Sequence, residues 1–175
     1  MSPKERARRV KLLILDVDGV LTDGRIVLSS DGGQIKFFDV RDGFGLVLAR
    51  QAGLKTAIIT AERSRVVTFR ARRLKVDWVA QFARDKAKAL SRCLTHFRIP
   101  AQEAAYIGDD LLDLPVLTRV GFSASVASAD PEVKRHAHYV SRLPGGRGAV
   151  REVIEFILKA QGSWPKILKR YLSHD

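Results

Sequence analysis

The sequence predicts an α/β fold in which helices cover both faces of a mostly parallel β-sheet, giving a three-layer sandwich. Short apolar runs alternate with helical patterns along the 175 residues, which is the order that parallel strands and crossover helices produce. Hydrophobic residues make up 46% of the chain, so one domain of this length can bury a sizeable core. We therefore expect residues 1–175 to fold as a single domain.

Six apolar runs bounded by turn-forming residues are predicted to be strands. They are Leu12–Leu15, Thr56–Ile59, Trp78–Ala80, Ala104–Ile107, Phe122–Ala124 and Tyr139–Val140. Five segments between or after these runs have apolar residues at helical spacing. The predicted helices are at about Phe44–Gln51, Ser64–Leu74, Lys86–Phe97, Leu111–Arg119 and Ala149–Ala160.

Two segments depart from this alternation. Residues Arg25–Phe38 contain two β-rich arms around Asp31-Gly32-Gly33, which predicts a β-hairpin that projects after the first strand. Residues 162–175 begin with Gly162 and contain Pro165, which predicts a separate C-terminal arm or short helix.

Composition and charge exclude several classes of protein. The apolar runs are too short to span a membrane, and the basic N-terminus lacks the apolar stretch and cleavage site of a signal peptide. The single cysteine, Cys93, excludes an internal disulfide framework, so we expect a cytoplasmic protein with no membrane partner. The net charge of +12 suits either nucleic acid or a small anionic substrate. The basic residues are scattered and no nucleic-acid-binding motif is present, which favours the small anion.

Reactive side chains follow four of the predicted strands. Asp16 and Asp18 follow the first strand, Thr60 the second and Asp109 the fourth, while Lys86 begins the helix after the third. Ligands of open parallel sheets bind beyond the carboxyl ends of the strands, so we expect these groups to meet. Mg²⁺ commonly binds through one or two carboxylates together with a substrate phosphate. The arrangement therefore predicts a site for Mg²⁺ and a phosphate group.

Four sequence segments resemble the motifs of the haloacid dehalogenase-like phosphohydrolases. They are "LLILDVDGVLTDG", "IIT", the lysine of "QFARDK" and "YIGDDLLD", and the resemblance covers nearly the whole chain. Two further segments, "FFDVRDGFG" and "GGRGAVREV", are similar to the small phosphatases that act on 3-deoxy-2-ulosonic acid phosphates. Within that branch the chain most resembles the 3-deoxy-D-manno-octulosonate 8-phosphate phosphatases of lipopolysaccharide sugar synthesis.

The resemblance implies a role for each residue at the strand ends. Asp16 is expected to attack phosphorus and form an aspartyl-phosphate, which divides the hydrolysis into two easier steps. Asp18 is expected to protonate the departing sugar oxygen and then to accept a proton from the attacking water. Thr60 is expected to hold a phosphate oxygen, and Lys86 to neutralise charge on the phosphoryl group and on Asp16.

The resemblance also implies a Mg²⁺ cofactor. Its expected ligands are Asp16, the backbone carbonyl of Asp18 and Asp109, with Asp110 or Asp113 in support. The ion separates the charge of the nucleophile from that of the substrate, which phosphoryl transfer requires.

The spacing between the motifs leaves no room for a separate cap domain. Thr60 follows Asp16 by only 44 positions, and Lys86 follows Thr60 by 26. The fold expected is therefore a capless, Rossmann-like sandwich whose site is open. The resemblance implies a homotetramer in which hairpins border neighbouring sites, and the hairpin Arg25–Phe38 and the "PGGRG" segment are the candidate lid.

Residues farther from the phosphoryl site are expected to recognise the sugar acid. Arginine presents paired donors that suit a carboxylate, and Glu62 can accept hydrogen bonds from hydroxyls. The candidates for substrate binding are Arg41, Glu62, Arg63, Arg73 and Arg147. The second motif continues as Thr60-Ala61-Glu62-Arg63 where octulosonate phosphatases have "TGR". At this position the chain resembles the 2-keto-3-deoxynononate 9-phosphate phosphatases instead. Octulosonate 8-phosphate and nononate 9-phosphate are therefore both candidate substrates.

Other functions and structural roles compete with these hypotheses. A non-catalytic phosphatase-like module that only assembles oligomers is disfavoured by the intact aspartates and lysine, and a nucleic-acid phosphatase is an alternative suggested only by the charge.

Several conspicuous residues have a structural interpretation: Cys93 is expected in the core, Trp78 and Trp164 in packing, and His136 and His138 on the surface. The glycine-rich backbone of 145–148, just before a helix, is expected to bind an anion.

Overall fold

The computed structural model describes residues 1–173 and contains a six-stranded parallel sheet with a separate two-stranded hairpin. In chain order the strands are β1 Leu12–Leu15, β2 Val27–Leu28, β3 Gln34–Ile35, β4 Lys55–Ile59, β5 Trp78–Ala80, β6 Ala104–Gly108, β7 Phe122–Ser125 and β8 Tyr139–Val140. The sheet order is β5-β4-β1-β6-β7-β8, and β2 pairs with β3 in the antiparallel hairpin. The first strand of the chain therefore lies in the middle of the sheet.

Helices cover both faces of this sheet, as a three-layer sandwich requires. They are α1 Pro3–Arg8, α2 Val40–Gln51, α3 Arg65–Leu74, α4 Lys86–Phe97, α5 Leu114–Leu117, α6 Pro131–His136, α7 Ala149–Ala160 and α8 Trp164–Leu172. One face carries α1, α2, α3 and α7, and α4, α5 and α6 pack on the other. This confirms the predicted fold class, including the projecting hairpin and the absence, within residues 1–173, of a cap domain.

The central strand β1 is buried on both faces, so it is apolar at every position and does not alternate. All four residues of β1 are fully buried, and Tyr106 and Phe122 are the largest side chains in the core. Every apolar residue of the six predicted strands except Val79 and Val140 is buried or half-buried. This rigid centre holds the strand ends that carry the candidate site.

Three predicted boundaries are corrected by the structure. The helix expected at Phe44 begins at Val40, because the Asp39 side chain accepts a hydrogen bond from the Arg41 N–H at 2.6 Å and caps it. The helix expected over 111–119 is a 3₁₀ turn, Leu111–Asp113, followed by one short turn of α-helix. The β-ladder of the hairpin covers only two residue pairs of the 14-residue segment predicted.

Two helices were not predicted from the sequence. Both start with a capped proline turn: Ser2 forms a reciprocal capping box with Glu5 before α1, and the Asp130 side chain caps α6. The segment predicted as a C-terminal arm contains α8, and its last two residues, 174 and 175, lie outside the described residues. Among the helices of residues 1–173, none combines the length and apolar character needed to cross a membrane.

Candidate active site

The carboxyl ends of three neighbouring strands bring the predicted catalytic residues to one edge of the sheet. Asp16 follows β1 directly, Thr60 follows β4 and Asp109 follows β6, and β1 lies between the other two strands. The Asp16 N–H donates to the Ile107 carbonyl at 3.0 Å, which extends the β1–β6 ladder to the aspartate. The chain crosses from one side of β1 to the other here, which is where open α/β sheets bind ligands.

Lys86 joins two carboxylates in the interior of this site. Its Nζ lies 3.0 Å from Oδ2 of Asp16 and 2.6 Å from Oδ1 of Asp113. The side chain is buried at the first turn of α4, which is capped by the Asp85 carboxylate. Burial alone would lower the pKa of Lys86, but the two carboxylates raise it above its ordinary value. Lys86 is therefore a fixed positive charge beside the predicted nucleophile.

Asp113 supports the loop that carries Asp109. Its side chain is fully buried, and Oδ1 accepts hydrogen bonds from Lys86 and from the Tyr106 hydroxyl. The other oxygen, Oδ2, accepts the backbone N–H groups of Asp109 at 2.9 Å and Asp110 at 3.2 Å. Both oxygens are thus engaged within the protein, which is the supporting arrangement expected for Asp113.

Asp16 and Asp109 present carboxylate oxygens that suit a hard cation. One oxygen from each of these residues and one from Asp113 lie within 4.8 Å of one another. Oδ1 of Asp109 is buried and has no hydrogen-bond partner among residues 1–173. A Cβ on Gly19 would lie only 1.9 Å from Oδ2 of Asp109, so glycine is needed for the carboxylate to approach this loop. A buried carboxylate oxygen without a partner among the described residues, in an oxygen-rich site, fits Mg²⁺.

Burial and crowding raise the pKa values of Asp16 and Asp109. Burial, followed by the nearby Asp113, raises the pKa of Asp16 to about 7, although Lys86 opposes the shift. Burial, followed by Asp16 and Asp113, raises the pKa of Asp109 to about 8. Like charges in a desolvated site disfavour ionisation, and a bound divalent cation would remove that cost.

Asp18 lies next to this cluster and contacts a residue that the sequence analysis did not select. Lys36, immediately after β3, forms an ion pair with Oδ1 of Asp18, and its side chain is only 1% exposed. Oδ2 of Asp18 is buried and lacks a hydrogen-bond partner within the described part of the chain. The inward direction of Lys36 follows from strand alternation, since its neighbours Ile35 and Phe37 are exposed.

The glycine-rich segment 145–148 packs against the loop that carries Asp18. A Cβ on Gly145 would lie 1.7 Å from the Gly19 carbonyl oxygen, and the Gly146 N–H donates to the Val20 carbonyl at 3.0 Å. The following helix, α7, receives the buried Asp42 carboxylate, which accepts the N–H groups of Gly148 at 3.1 Å and Arg151 at 2.8 Å. The prediction that this segment binds an external anion is therefore corrected. The N–H groups of Gly148 and Arg151 already donate to the protein's own Asp42 carboxylate.

Thr60 is buried at the end of β4, where its backbone is fixed on both sides. Its N–H donates to the Ala80 carbonyl at 2.9 Å and its carbonyl accepts from Ala83 at 3.0 Å. Glu62 and Arg63 follow on the same loop and are exposed. Arg63 lines a cavity of about 1040 Å³ between the start of α3 and the tip of the hairpin.

The structure separates the other predicted substrate residues from this pair. Arg41 and Arg147 line a second cavity of about 450 Å³ beside Phe37, and the Arg41 guanidinium donates to the Arg147 carbonyl at 2.7 Å. Arg73 is exposed on α3, and neither cavity includes it among its lining residues within 1–173. The five candidates therefore do not form a single cluster.

Arg70, one turn before Arg73, was not predicted and faces inward instead. Its guanidinium carbon lies 5.3 Å from the centre of the Phe38 ring, and an Nη donates weakly to the Asp39 carbonyl at 3.4 Å. Burial, followed by the nearby Arg73, lowers the pKa of Arg70. Arg73, the arginine predicted on this helix, is exposed, whereas Arg70 is the one that faces inward.

The structural interpretations of Cys93, Trp78, Trp164 and His136 agree with the fold, whereas His138, which was expected on the surface, is half-buried. Cys93 is fully buried, and burial raises the pKa of its thiol to about 12, so it is a core residue. Trp78 and Trp164 pack against the core. His136 is exposed, and the half-buried His138 makes a hydrogen bond with Ser123 through Nδ1 at 2.7 Å.

Comparison with known proteins identifies the family. The family model of the haloacid dehalogenase-like hydrolases matches residues 57–154. The 3-deoxy-D-manno-octulosonate 8-phosphate phosphatase KdsC of Yersinia pestis is 44% identical over 157 residues, which cover 90% of this chain and 84% of that protein. These matches confirm the resemblance that the four motifs indicated.

Solved structures have the same fold. The phosphatase of the same name from Moraxella catarrhalis, in complex with a magnesium ion, a phosphate ion and KDO, superposes with a TM-score of 0.94 at 38% identity, covering 97% of each chain. The Yersinia pestis structure superposes with a TM-score of 0.91 at 42% identity, covering 93% of this chain and 88% of that one. The chain belongs to the haloacid dehalogenase-like hydrolase family.

Proposed function

We propose that the protein is a Mg²⁺-dependent phosphatase that removes phosphate from 3-deoxy-D-manno-octulosonate 8-phosphate through an aspartyl-phosphate. The observation that carries the proposal is the placement of Asp16 between a buried ammonium and an unpaired carboxylate. Lys86 lies 3.0 Å from its Oδ2, and Asp109 follows the neighbouring strand. The 44% identity to octulosonate phosphatases supports the substrate.

In the first step, an Asp16 oxygen attacks phosphorus and the bond to the sugar oxygen breaks. Lys86 holds Oδ2 of Asp16, so Oδ1 is the oxygen available for attack, and the ammonium stabilises the charge that develops on the phosphoryl group. Thr60 holds a phosphate oxygen from the adjacent strand end. Asp18, two residues beyond the nucleophile, gives its proton to the departing sugar oxygen.

In the second step, water attacks the phosphorus of the aspartyl-phosphate and the Asp16 carboxylate is released. Asp18 was left deprotonated by the first step, so it accepts the proton of that water. The inorganic phosphate then leaves the site. Asp16 is again a free carboxylate, and Asp18 again carries its proton. Lys86 retains its charge throughout, because its two carboxylate neighbours raise its pKa.

The proposed Mg²⁺ ligands are Asp16, Asp109 and the backbone carbonyl of Asp18, with Asp113 fixing the Asp109 loop. When bound, Mg²⁺ supplies positive charge that offsets the repulsion between the carboxylate nucleophile and the phosphate ester. Support comes from the unpaired buried Oδ1 of Asp109. Its raised pKa supports the same assignment.

The sugar acid is proposed to contact residues outside the phosphoryl site. Arg41, Glu62, Arg63, Arg73 and Arg147 remain the candidates, although Arg63 lines one cavity and Arg41 and Arg147 line the other. The alternative substrate is 2-keto-3-deoxynononate 9-phosphate, which Glu62 at the exposed end of the second motif favours. A hydroxyl-rich substrate suits a carboxylate at this position.

We also propose that the protein is a cytoplasmic homotetramer whose subunits border one another's sites. The hairpin leaves large apolar side chains uncovered: Ile26, Leu28, Ile35 and Phe37 are 50–67% exposed. Large apolar side chains left exposed on a projecting segment are typical of surfaces that contact another protein. Light scattering at micromolar concentration tests the assembly, and a fully active monomer would contradict it.

The experiment that tests the function is a comparison of wild type with Asp16→Asn on phosphorylated sugar acids in the presence of Mg²⁺. The substitution keeps the size of the side chain but removes the nucleophilic charge, so turnover is expected to vanish while the fold persists. A chelator should stop wild-type turnover, and Mg²⁺ should restore it. Full activity of Asp16→Asn would rule out the covalent mechanism.

A further inference from the structure

Lys36 is a buried lysine with no evident role in holding the sheet or the helices together. Its side chain is 1% exposed, and an ammonium group is costly to bury without a partner. The structure supplies that partner in Oδ1 of Asp18, 18 residues earlier in the chain. The contact forms because the hairpin returns over the loop that follows β1.

The backbone around Lys36 is anchored on its C-terminal side. Phe38 packs against the core, with the Arg70 guanidinium over its ring at 5.3 Å. Asp39 then caps α2 by accepting the Arg41 N–H. Lys36 therefore approaches Asp18 from a segment whose following residues are held in place, unlike a surface lysine that pairs by chance.

The ion pair makes the two oxygens of Asp18 different from each other. Oδ1 accepts the hydrogen bond from Lys36, whereas Oδ2 is buried and has no partner among the residues that the structure describes. The contact with Lys36 therefore fixes the orientation of the Asp18 carboxyl group.

We propose that Lys36 is a positioning residue that holds Oδ1 of Asp18 and so fixes the Asp18 carboxyl group beside the reacting oxygen atoms. The inference rests on the proposed function. In the first step the proton of the Asp18 carboxyl group passes to the sugar oxygen, which keeps the electron pair of the broken P–O bond. In the second step the Asp18 carboxylate takes a proton from water as the water oxygen bonds to phosphorus and the Asp16–phosphorus bond breaks.

A positioning role predicts an effect that depends on the leaving group. A sugar oxygen leaves as a strongly basic alkoxide unless it is protonated, so its departure requires a well-placed Asp18. The 4-nitrophenolate ion is a stable anion and leaves without a proton. A residue needed only for the fold, or for holding phosphate, would affect both esters alike.

The test measures the first step by single turnover in excess enzyme with Mg²⁺, following release of the sugar from octulosonate 8-phosphate and of 4-nitrophenol from 4-nitrophenyl phosphate. We expect Lys36→Met to slow sugar release about 10- to 100-fold, which is part of the roughly 10²–10⁴-fold acceleration that a positioned acid contributes. Release of nitrophenol should slow by less than about 3-fold. Lys36→Gln, which keeps a donor, should lose less than Lys36→Met.

Lys11→Met is the matched control, because Lys11 also pairs with a carboxylate, Glu103 at 2.8 Å, but on the exposed surface. It should leave both rates unchanged. Equal losses on the two esters, no loss on either, or failure of both Lys36 variants to fold would overturn the positioning role. A wild type that hydrolyses neither ester would instead contradict the proposed function, so the two failures are distinguishable.

Discussion

Gly19 and Asp109 meet so closely that a Cβ on the glycine would lie 1.9 Å from Oδ2 of the aspartate. Gly19 also has a φ of +87°, a backbone conformation that residues with a side chain rarely adopt. The glycine thus has two functions in one loop: it allows the turn after Asp18, and it leaves the space that the Asp109 carboxylate occupies.

Gly19→Ala is therefore expected to displace Asp109 and weaken Mg²⁺ binding. We expect a loss of about 10- to 100-fold in affinity, as for other changes that move a metal ligand, measured by calorimetric titration of the metal-free protein. Gly53→Ala is the control, because Gly53 has a similar φ of +89° but no described atom lies within 4 Å of the position that its added Cβ would take. Equal losses of Mg²⁺ affinity in the two variants would show that backbone strain, and not displacement of Asp109, causes the effect.

The raised pKa values of Asp16 and Asp109 predict how the stability of the metal-free protein depends on pH. In the unfolded chain an aspartate loses its proton near pH 4, but in the folded protein these two keep theirs up to about 7 and about 8. Between these limits the folded state binds more protons than the unfolded state. Their contribution to stability is therefore full below about pH 4 and is lost as the pH rises through the folded pKa values.

Mg²⁺ should reverse this loss, because it binds the deprotonated carboxylates. We expect Mg²⁺ to raise the melting temperature more at about pH 8 than at about pH 5.5, where it must displace protons. Thermal melts at both pH values measure the difference, with Asp109→Asn as the variant in which it should disappear. The same increase at both pH values would contradict the assignment.

Asp113→Ala tests whether this carboxylate supports the site from within the protein. The substitution removes four hydrogen-bonding contacts of a fully buried group, including one to Lys86 at 2.6 Å. We expect the free energy of unfolding to fall by about 3–5 kcal/mol, the range for removing one partner of a buried pair, as measured by urea denaturation.

The control for Asp113→Ala is Glu103→Ala, which removes the partner of the exposed Lys11. An exposed pair is worth only about 0–1 kcal/mol, so this variant should unfold near the wild-type urea concentration. Similar losses in the two variants would show that the Asp113 contacts add little to stability.

The sequence predicts the part of the site that depends on strand ends. Asp16, Thr60 and Asp109 each follow an apolar run, and the carboxyl ends of parallel strands meet at one edge whatever the details of packing. Lys36 could not be placed this way, because its contact with Asp18 depends on how far the hairpin folds back. Arg70 was likewise not predicted. Several arginines lie close together on α3, and only a weak helical periodicity in the sequence indicates which of them faces inward.

Glu62 is expected to determine which sugar acid the protein prefers. It follows the buried Thr60 by two residues and is exposed, so replacing it should leave the core and the phosphoryl site intact. Loss of a charged hydrogen bond costs about 1.5–3 kcal/mol, so Glu62→Ala should lower kcat/KM for the true sugar phosphate by roughly ten- to a hundred-fold. Hydrolysis of 4-nitrophenyl phosphate, which lacks the sugar, should barely change.

Glu62→Arg makes the comparison between the two candidate substrates sharper. It restores the arginine that octulosonate phosphatases resembling this chain have after the second motif, while Thr60 and Lys86 stay unchanged. If Glu62 accepts hydroxyls of the longer sugar, the ratio of kcat/KM for octulosonate 8-phosphate over nononate 9-phosphate should rise in this variant. An unchanged ratio would mean that Glu62 does not select the substrate, and equal losses on the sugar and aryl esters would place it in the phosphate site instead.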